Sequence, residues 1–149
     1  MCKSSKPSRR RRGFTLVEVM LVLAILVIIG SIVTVNLVQA WRNAQIDAAR
    51  AQVKVFKTPL LNYRMDIGDF PSTSDGLQAL RTIPSGLSNP SKWRGPYLDS
   101  EVPPDPWGNL YRYEYPGKYQ TDLPDIWSVG PDGMDSSEDD IGNWPTVKE

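Results

Sequence analysis

Two sets of carboxylates invite chemistry. The first is a single residue: Glu18 is the only charged side chain in residues 14–38 of a 149-residue chain. A carboxylate in hydrocarbon costs roughly 2.5–3.5 kcal/mol on insertion scales, so it needs a cation or a role. The second is a cluster: Asp132, Asp135, Glu138, Asp139 and Asp140 fall within nine residues. So many acids on one loop repel one another unless a cation compensates, and Ca²⁺ gathers about six to eight oxygens from carboxylates and carbonyls. Gly130 and Gly133 would let the loop fold tightly. The alternating Asp-x-Asp-x-Asp-Gly order of an EF-hand is missing, and spacing alone fits a solvated acidic turn better than a metal cage.

Other chemistries are closed by composition. There is no histidine, and the single cysteine, Cys2, precedes the apolar run. That removes a Ser-His-Asp triad, a Cys-His pair, a zinc site of the usual ligands and any disulfide within the chain. No GxGxxG, phosphate loop or GxSxG occurs. Composition leaves carboxylate-only chemistry open, but nothing in the sequence supports it. Cys2 reads as an incidental leader residue and not a lipidation site.

The elements that must position these acids follow. Residues 14–38 exceed the roughly 20 apolar residues a spanning helix needs and are too long for the core of a secretory signal peptide. The basic side is Lys3, Lys6 and the four arginines 9–12, so the N-terminus stays cytoplasmic and the rest is exported. Residues 1–13 hold six of the 17 Lys+Arg, leaving 11 basic against 17 acidic residues beyond them. An acidic exported part argues against a nucleic-acid partner.

Helical periodicity continues past the membrane. Ala40, Ala44, Ala48, Ala51 and Val55 recur at three- to four-residue spacing, with Arg42, Asp47, Arg50 and Lys54 on other faces. That small-residue stripe suits close approach of another helix or of the chain's own domain. Pro59 should interrupt the helix, which resumes over Leu60, Leu61 and Tyr63. Residues 66–74 read as a loop, 75–82 as a short helix, 84–96 as irregular, 110–115 and 126–129 as strands, and 132–149 as acidic loop and tail. Trp93, Tyr97, Trp107, Tyr111, Tyr113, Trp127 and Trp144 suit either a binding groove or core packing of a thin sheet on a helix, and packing is the better fit.

Gly13-Phe14-Thr15-Leu16-Val17-Glu18 resembles the prepilin peptidase site of type IV pilin-like proteins. The blocks YRMDIGDFP (63–71), DGLQAL (75–80), WRGPYL (93–98), DPWGN (105–109) and DIGNW (140–144) resemble the major pseudopilin family of type II secretion. The resemblance covers residues 12–144, with three departures. Val35 stands where such proteins usually carry proline, Pro59 is atypical, and Met134 to Glu138 replace a glycine-rich run.

The resemblance implies an α+β, pilin-like fold. A long N-terminal helix, membrane-spanning in its first half, would carry a small antiparallel sheet and a calcium loop packed on its outer half. It implies a basic leader, residues 1–13, cut by prepilin peptidase between Gly13 and Phe14, with N-methylation of Phe14. Residues 14–38 would be the membrane and assembly helix and 39–149 the periplasmic domain. Glu18 of one subunit would pair with the Phe14 amine of a neighbour, with Thr15 assisting. The competing account has Glu18 snorkel to the cytoplasmic interface. The calcium ligands implied are the side chains of Asp132, Asp139 and Asp140 with carbonyls of Val129 and Pro131, Asp135 and Glu138 being spare. The implied function is a non-enzymatic subunit, stored in the bacterial inner membrane, that polymerises into a periplasmic pseudopilus driving export. Its implied partners are further copies, minor pseudopilins, the prepilin peptidase, the assembly platform and membrane lipid. Two other accounts stand beside it: a subunit of a type IV pilus or competence filament, and a membrane-anchored carboxylate hydrolase. The missing C-terminal cysteines count against a long pilin. Two converging buried carboxyls in a cleft would favour the hydrolase.

Overall fold

The computed structural model describes residues 13–145, and of residues 31–36 only the backbone. The basic leader before Gly13, the Val35 side chain and the tail beyond Pro145 lie outside the described residues. The chain divides into two compact units, Met1–Trp41 and Arg42–Glu149.

Helix α1 spans Leu16–Val55. In the first unit its described side chains are exposed throughout, from Leu16 and Val17 at 79% and 72% to Ile29 at 54%. Among the described residues no helix is long and apolar enough to cross a membrane.

In the second unit the helix buries a different face from the alanine stripe. Ala49, Val53, Phe56, Leu60 and Tyr63 are all at most 2% exposed, while Ala44, Ala48, Ala51 and Val55 stay exposed. The four- and three-residue steps are helical, and the face that carries Val53, Phe56, Leu60 and Tyr63 brings more apolar area to the core than the alanine stripe. Phe56 separates α1 from α2, Lys57–Ile67. Pro59 falls in the first turn of α2, where backbone N–H groups have no partner within the helix, so its missing donor costs nothing there. Interruption followed by resumption is what the sequence led one to expect. Gly68, at φ 106°, closes α2 by donating its N–H to the Arg64 carbonyl at 2.8 Å.

A 3₁₀ turn, Gly76–Leu80, stands where a short helix was expected and sends Leu77, Ala79 and Leu80 inward. The sheet is antiparallel in the order β1 (Arg112–Glu114), β2 (Asp125–Ser128), β3 (Ile141–Gly142). Tyr113 faces Ile126 across β1 and β2, and Trp127 faces Gly142 across β2 and β3. β3 corrects the assignment of everything after residue 132 to loop and tail. Two residues are too few to show alternation, and this strand is fixed by Asn143, whose N–H reaches the Ile126 carbonyl (3.0 Å) while its side-chain oxygen accepts the Ile126 N–H (3.1 Å).

The aromatic residues mostly pack. Phe56 meets Tyr111 edge-on at 5.4 Å, and Tyr63 and Trp93 both meet Tyr97. Tyr113 donates its hydroxyl to the Pro71 carbonyl at 2.8 Å. Burial pushes the Tyr111 phenol up to about 12, the Asp105 charge adding to it, so it holds its proton. Gly95 of the WRGPYL block lies under the Trp93 ring, where an added Cβ would overlap the indole.

Candidate functional site

The N-terminal group is built on the start of α1. Thr15 precedes the helix, and its hydroxyl accepts the backbone N–H of Glu18 at 3.2 Å. This is one half of a capping box, with Thr at the cap and Glu three residues on. The Thr-x-x-Glu spacing was legible in the sequence, and reading Thr15 only as a helper for an amine missed it. Glu18 in the first turn also faces the positive end of the helix dipole. Among the described residues it has no ion pair. An added Cβ at Gly13 would meet nothing within 4 Å, so the fold itself does not demand glycine there.

The acidic loop leaves β2 through Val129, which is 2% exposed, and Gly130 at φ 68°. Any side chain at Gly130 would run into the Asp139 backbone carbonyl, so the two ends of the loop are in contact. Asp132 accepts the Met134 N–H at 3.0 Å, and Asp140 accepts the Ser136 N–H at 2.9 Å. Asp135 takes the Trp127 indole N–H at 2.8 Å. The second oxygen of Asp140 is buried with no hydrogen-bond partner. Burial, then the charges of Asp135 and Asp132, raise the Asp140 carboxyl above its ordinary range. Of the expected ligands, Asp132 and Asp140 thus feel each other, while Asp139 turns its N–H to the Ser137 hydroxyl (3.3 Å) and Pro131 is exposed. Among the described residues no group of three or more acidic side chains stands close enough to hold a metal ion.

Two buried carboxylates were not singled out from the sequence. Asp105, 4% exposed, accepts the N–H groups of Trp107 (3.1 Å) and Asn109 (2.7 Å) on one oxygen and the Ser128 hydroxyl on the other. Ser128 in turn accepts the Gly130 N–H at 3.1 Å, so the DPWGN turn is wired to the start of the acidic loop. Asp125, 2% exposed, accepts the N–H groups of Lys118 (2.6 Å) and Tyr119 (2.9 Å). Asp-x-x-Gly and Asp-Pro turn signals were the available clue to Asp105. Both acids hold turns, which is structural work and not the paired acid and base of a hydrolase.

Residues 36–144 match the family model "Type II secretion system (T2SS), protein G", and residues 8–34 match the prokaryotic N-terminal methylation motif. The chain is 39% identical over 140 residues to a type II secretion system core protein G of Pectobacterium carotovorum subsp. carotovorum, covering 94% of this chain and 88% of that one. It is 37% identical over 140 residues to the core protein G of Pseudomonas aeruginosa, covering 91% and 96%. Among solved structures, the major pseudopilin of the type 2 secretion system of enterohaemorrhagic Escherichia coli superposes with a TM-score of 0.65 at 36% identity, covering 73% of this chain and 94% of that one. A helix bearing a small antiparallel sheet, a methylation motif at its start and these relatives agree: the chain belongs to the type II secretion system protein G family and is a pseudopilus subunit.

Proposed function

We propose that this pseudopilus subunit is stored in the inner membrane by residues 14–38, with its N-terminus cytoplasmic and residues 39–149 in the periplasm. The carrying observation is the apolar run from Phe14 to Ile29, which leads into and forms the start of α1 and is exposed along its whole length. Apolar surface on that scale needs a cover, and lipid supplies it before assembly, neighbouring copies after it. Prepilin peptidase would cut between Gly13 and Phe14, and Phe14 would be N-methylated. That Gly13 has open space around it supports a demand imposed by an outside enzyme and not by packing. The new Phe14 amine is the cation that Glu18 lacks among the described residues. Pairing it with Glu18 of a neighbour offsets the burial of both charges only in the polymer and fixes the stagger between subunits. Minor pseudopilins and an inner-membrane platform would start and drive that polymer.

The same reading gives the acidic loop a calcium ion, held by the carboxylates of Asp132, Asp139 and Asp140 and the carbonyls of Val129 and Pro131. The unpartnered buried oxygen of Asp140 and the mutual repulsion around it support a cation bound there. The ion would neutralise like charges and tie the loop's two ends. Binding to the folded state alone adds about 2.7 kcal/mol at a hundredfold excess over Kd. Residues 39–149 should therefore melt roughly 10 °C or more higher in millimolar calcium, and far less so in magnesium. Asp140→Ala should erase the response and Asp66→Ala should keep it. A melting curve indifferent to calcium would make the loop a solvated acidic turn.

A further inference from the structure

One groove of the second unit is claimed by none of the roles above. It measures about 620 Å³ and lies between the helices and the end of the sheet. Its accessible apolar lining comes from Leu61, Leu123 and Trp144, over the buried Val53, Leu60 and Ile126, and its helical rim is cationic, from Arg50, Lys54 and Lys57. Among the described residues Lys54 and Lys57 have no ion pair, and Arg50 pairs only with the exposed Asp47. The acidic loop presents the complement. Met134 is 66% exposed, an apolar side chain that lies in sequence between Asp132 and Asp135, with Glu138 and Asp139 following. None of these acids forms an ion pair among the described residues. Nor does any residue of the loop line the groove of its own copy. The chain thus carries two complementary surfaces that do not satisfy each other internally. Contact between two different patches on successive copies repeats without closing, which is the geometry of a filament.

We propose that the groove receives the acidic loop of a second copy, Met134 lying against Leu61, Leu123 and Trp144 while Asp135 and Glu138 meet Lys54 and Lys57. This rests on the chain being a pseudopilus subunit. Rim pairs at an interface set register and partner choice more than affinity, so reversing them should act on assembly and not on folding. The test is charge exchange in the full chain, with filaments quantified by pelleting and electron microscopy. Lys54→Glu with Lys57→Glu should cut filament yield at least tenfold, and Asp135→Lys with Glu138→Lys should do the same. All four changes in one chain should bring it back to within about twofold of the parent, while Lys92→Glu, outside the groove, changes nothing. The melting temperature of the detergent-held Lys54→Glu, Lys57→Glu variant should match the parent's, while the Asp135 change takes the acceptor from the Trp127 indole N–H and should lower it by a few degrees. Undiminished filaments from either reversal, or no rescue by the combination, would overturn the contact. A parent chain that forms no filaments would instead count against the subunit reading on which it rests.

Discussion

Glu18→Ala should leave a chain that enters the membrane more readily than the parent and assembles scarcely at all. Removing a carboxylate from the apolar segment eases insertion by roughly 2.5–3.5 kcal/mol. On the proposed pairing, the same change leaves the Phe14 amine of the neighbouring copy unpaired in hydrocarbon. Breaking a buried pair by deleting one partner costs about 3–5 kcal/mol. If each added subunit makes one such pair, the concentration needed for growth rises by about two to three and a half decades. The helix start should survive, because Thr15 caps it through the backbone N–H of residue 18, which alanine retains. Membrane-fraction abundance and filament yield should therefore move in opposite directions. Filaments of normal abundance would mean that Glu18 is satisfied without a neighbour, by snorkelling to the interface.

Asp105→Ala should be the most damaging single change in the second unit. One buried carboxylate accepts two backbone N–H groups and the hydroxyl of Ser128, itself fully buried. Hydrogen bonds to a charged group contribute about 1.5–3 kcal/mol each and do not add fully, so the loss should be about 3–5 kcal/mol. Against a total stability of roughly 5–15 kcal/mol, that lowers the melting temperature by about 15–30 °C. Asp105→Asn keeps the shape and one accepting oxygen and should lose about half as much. The exposed Asp99→Ala should change stability by no more than about 0.5 kcal/mol. An Asp105→Ala protein as stable as the parent would show that the DPWGN turn holds without its carboxylate. The Ser128 and Gly130 link then predicts a second effect: the variant should also weaken any calcium response of the loop.

What could be read in the sequence follows from how local the determinants are. The break before Pro59, the loop after α2 and the two strands β1 and β2 rest on short local signals. Turn chemistry and alternation make such features visible. The core face of α1 was not, because the alanines at 40, 44, 48 and 51 and the set Ala49, Val53 and Phe56 both repeat with helical spacing. Which set turns inward is decided by what packs on it. β3 was missed because its two residues are held by the Asn143 side chain, a partner 17 residues from Ile126. Asp105 and Asp125 looked like ordinary loop acids, since burial of a turn-holding carboxylate is a tertiary fact. The acidic loop was located correctly, but which oxygens are spent on N–H groups and which one is left over appears only once the chain is folded.

The central claim is that a peptidase converts a membrane-stored precursor into an assembling subunit, and intact mass tests it most directly. Protein recovered from alkali-washed inner membranes of cells with active prepilin peptidase should have the mass of residues 14–149 plus one methyl group. The same preparation from cells lacking the peptidase, or carrying a bulky residue in place of Gly13, should retain residues 1–13. A chain that still begins at Met1 in the presence of active peptidase, or that is absent from the membrane altogether, would contradict the account.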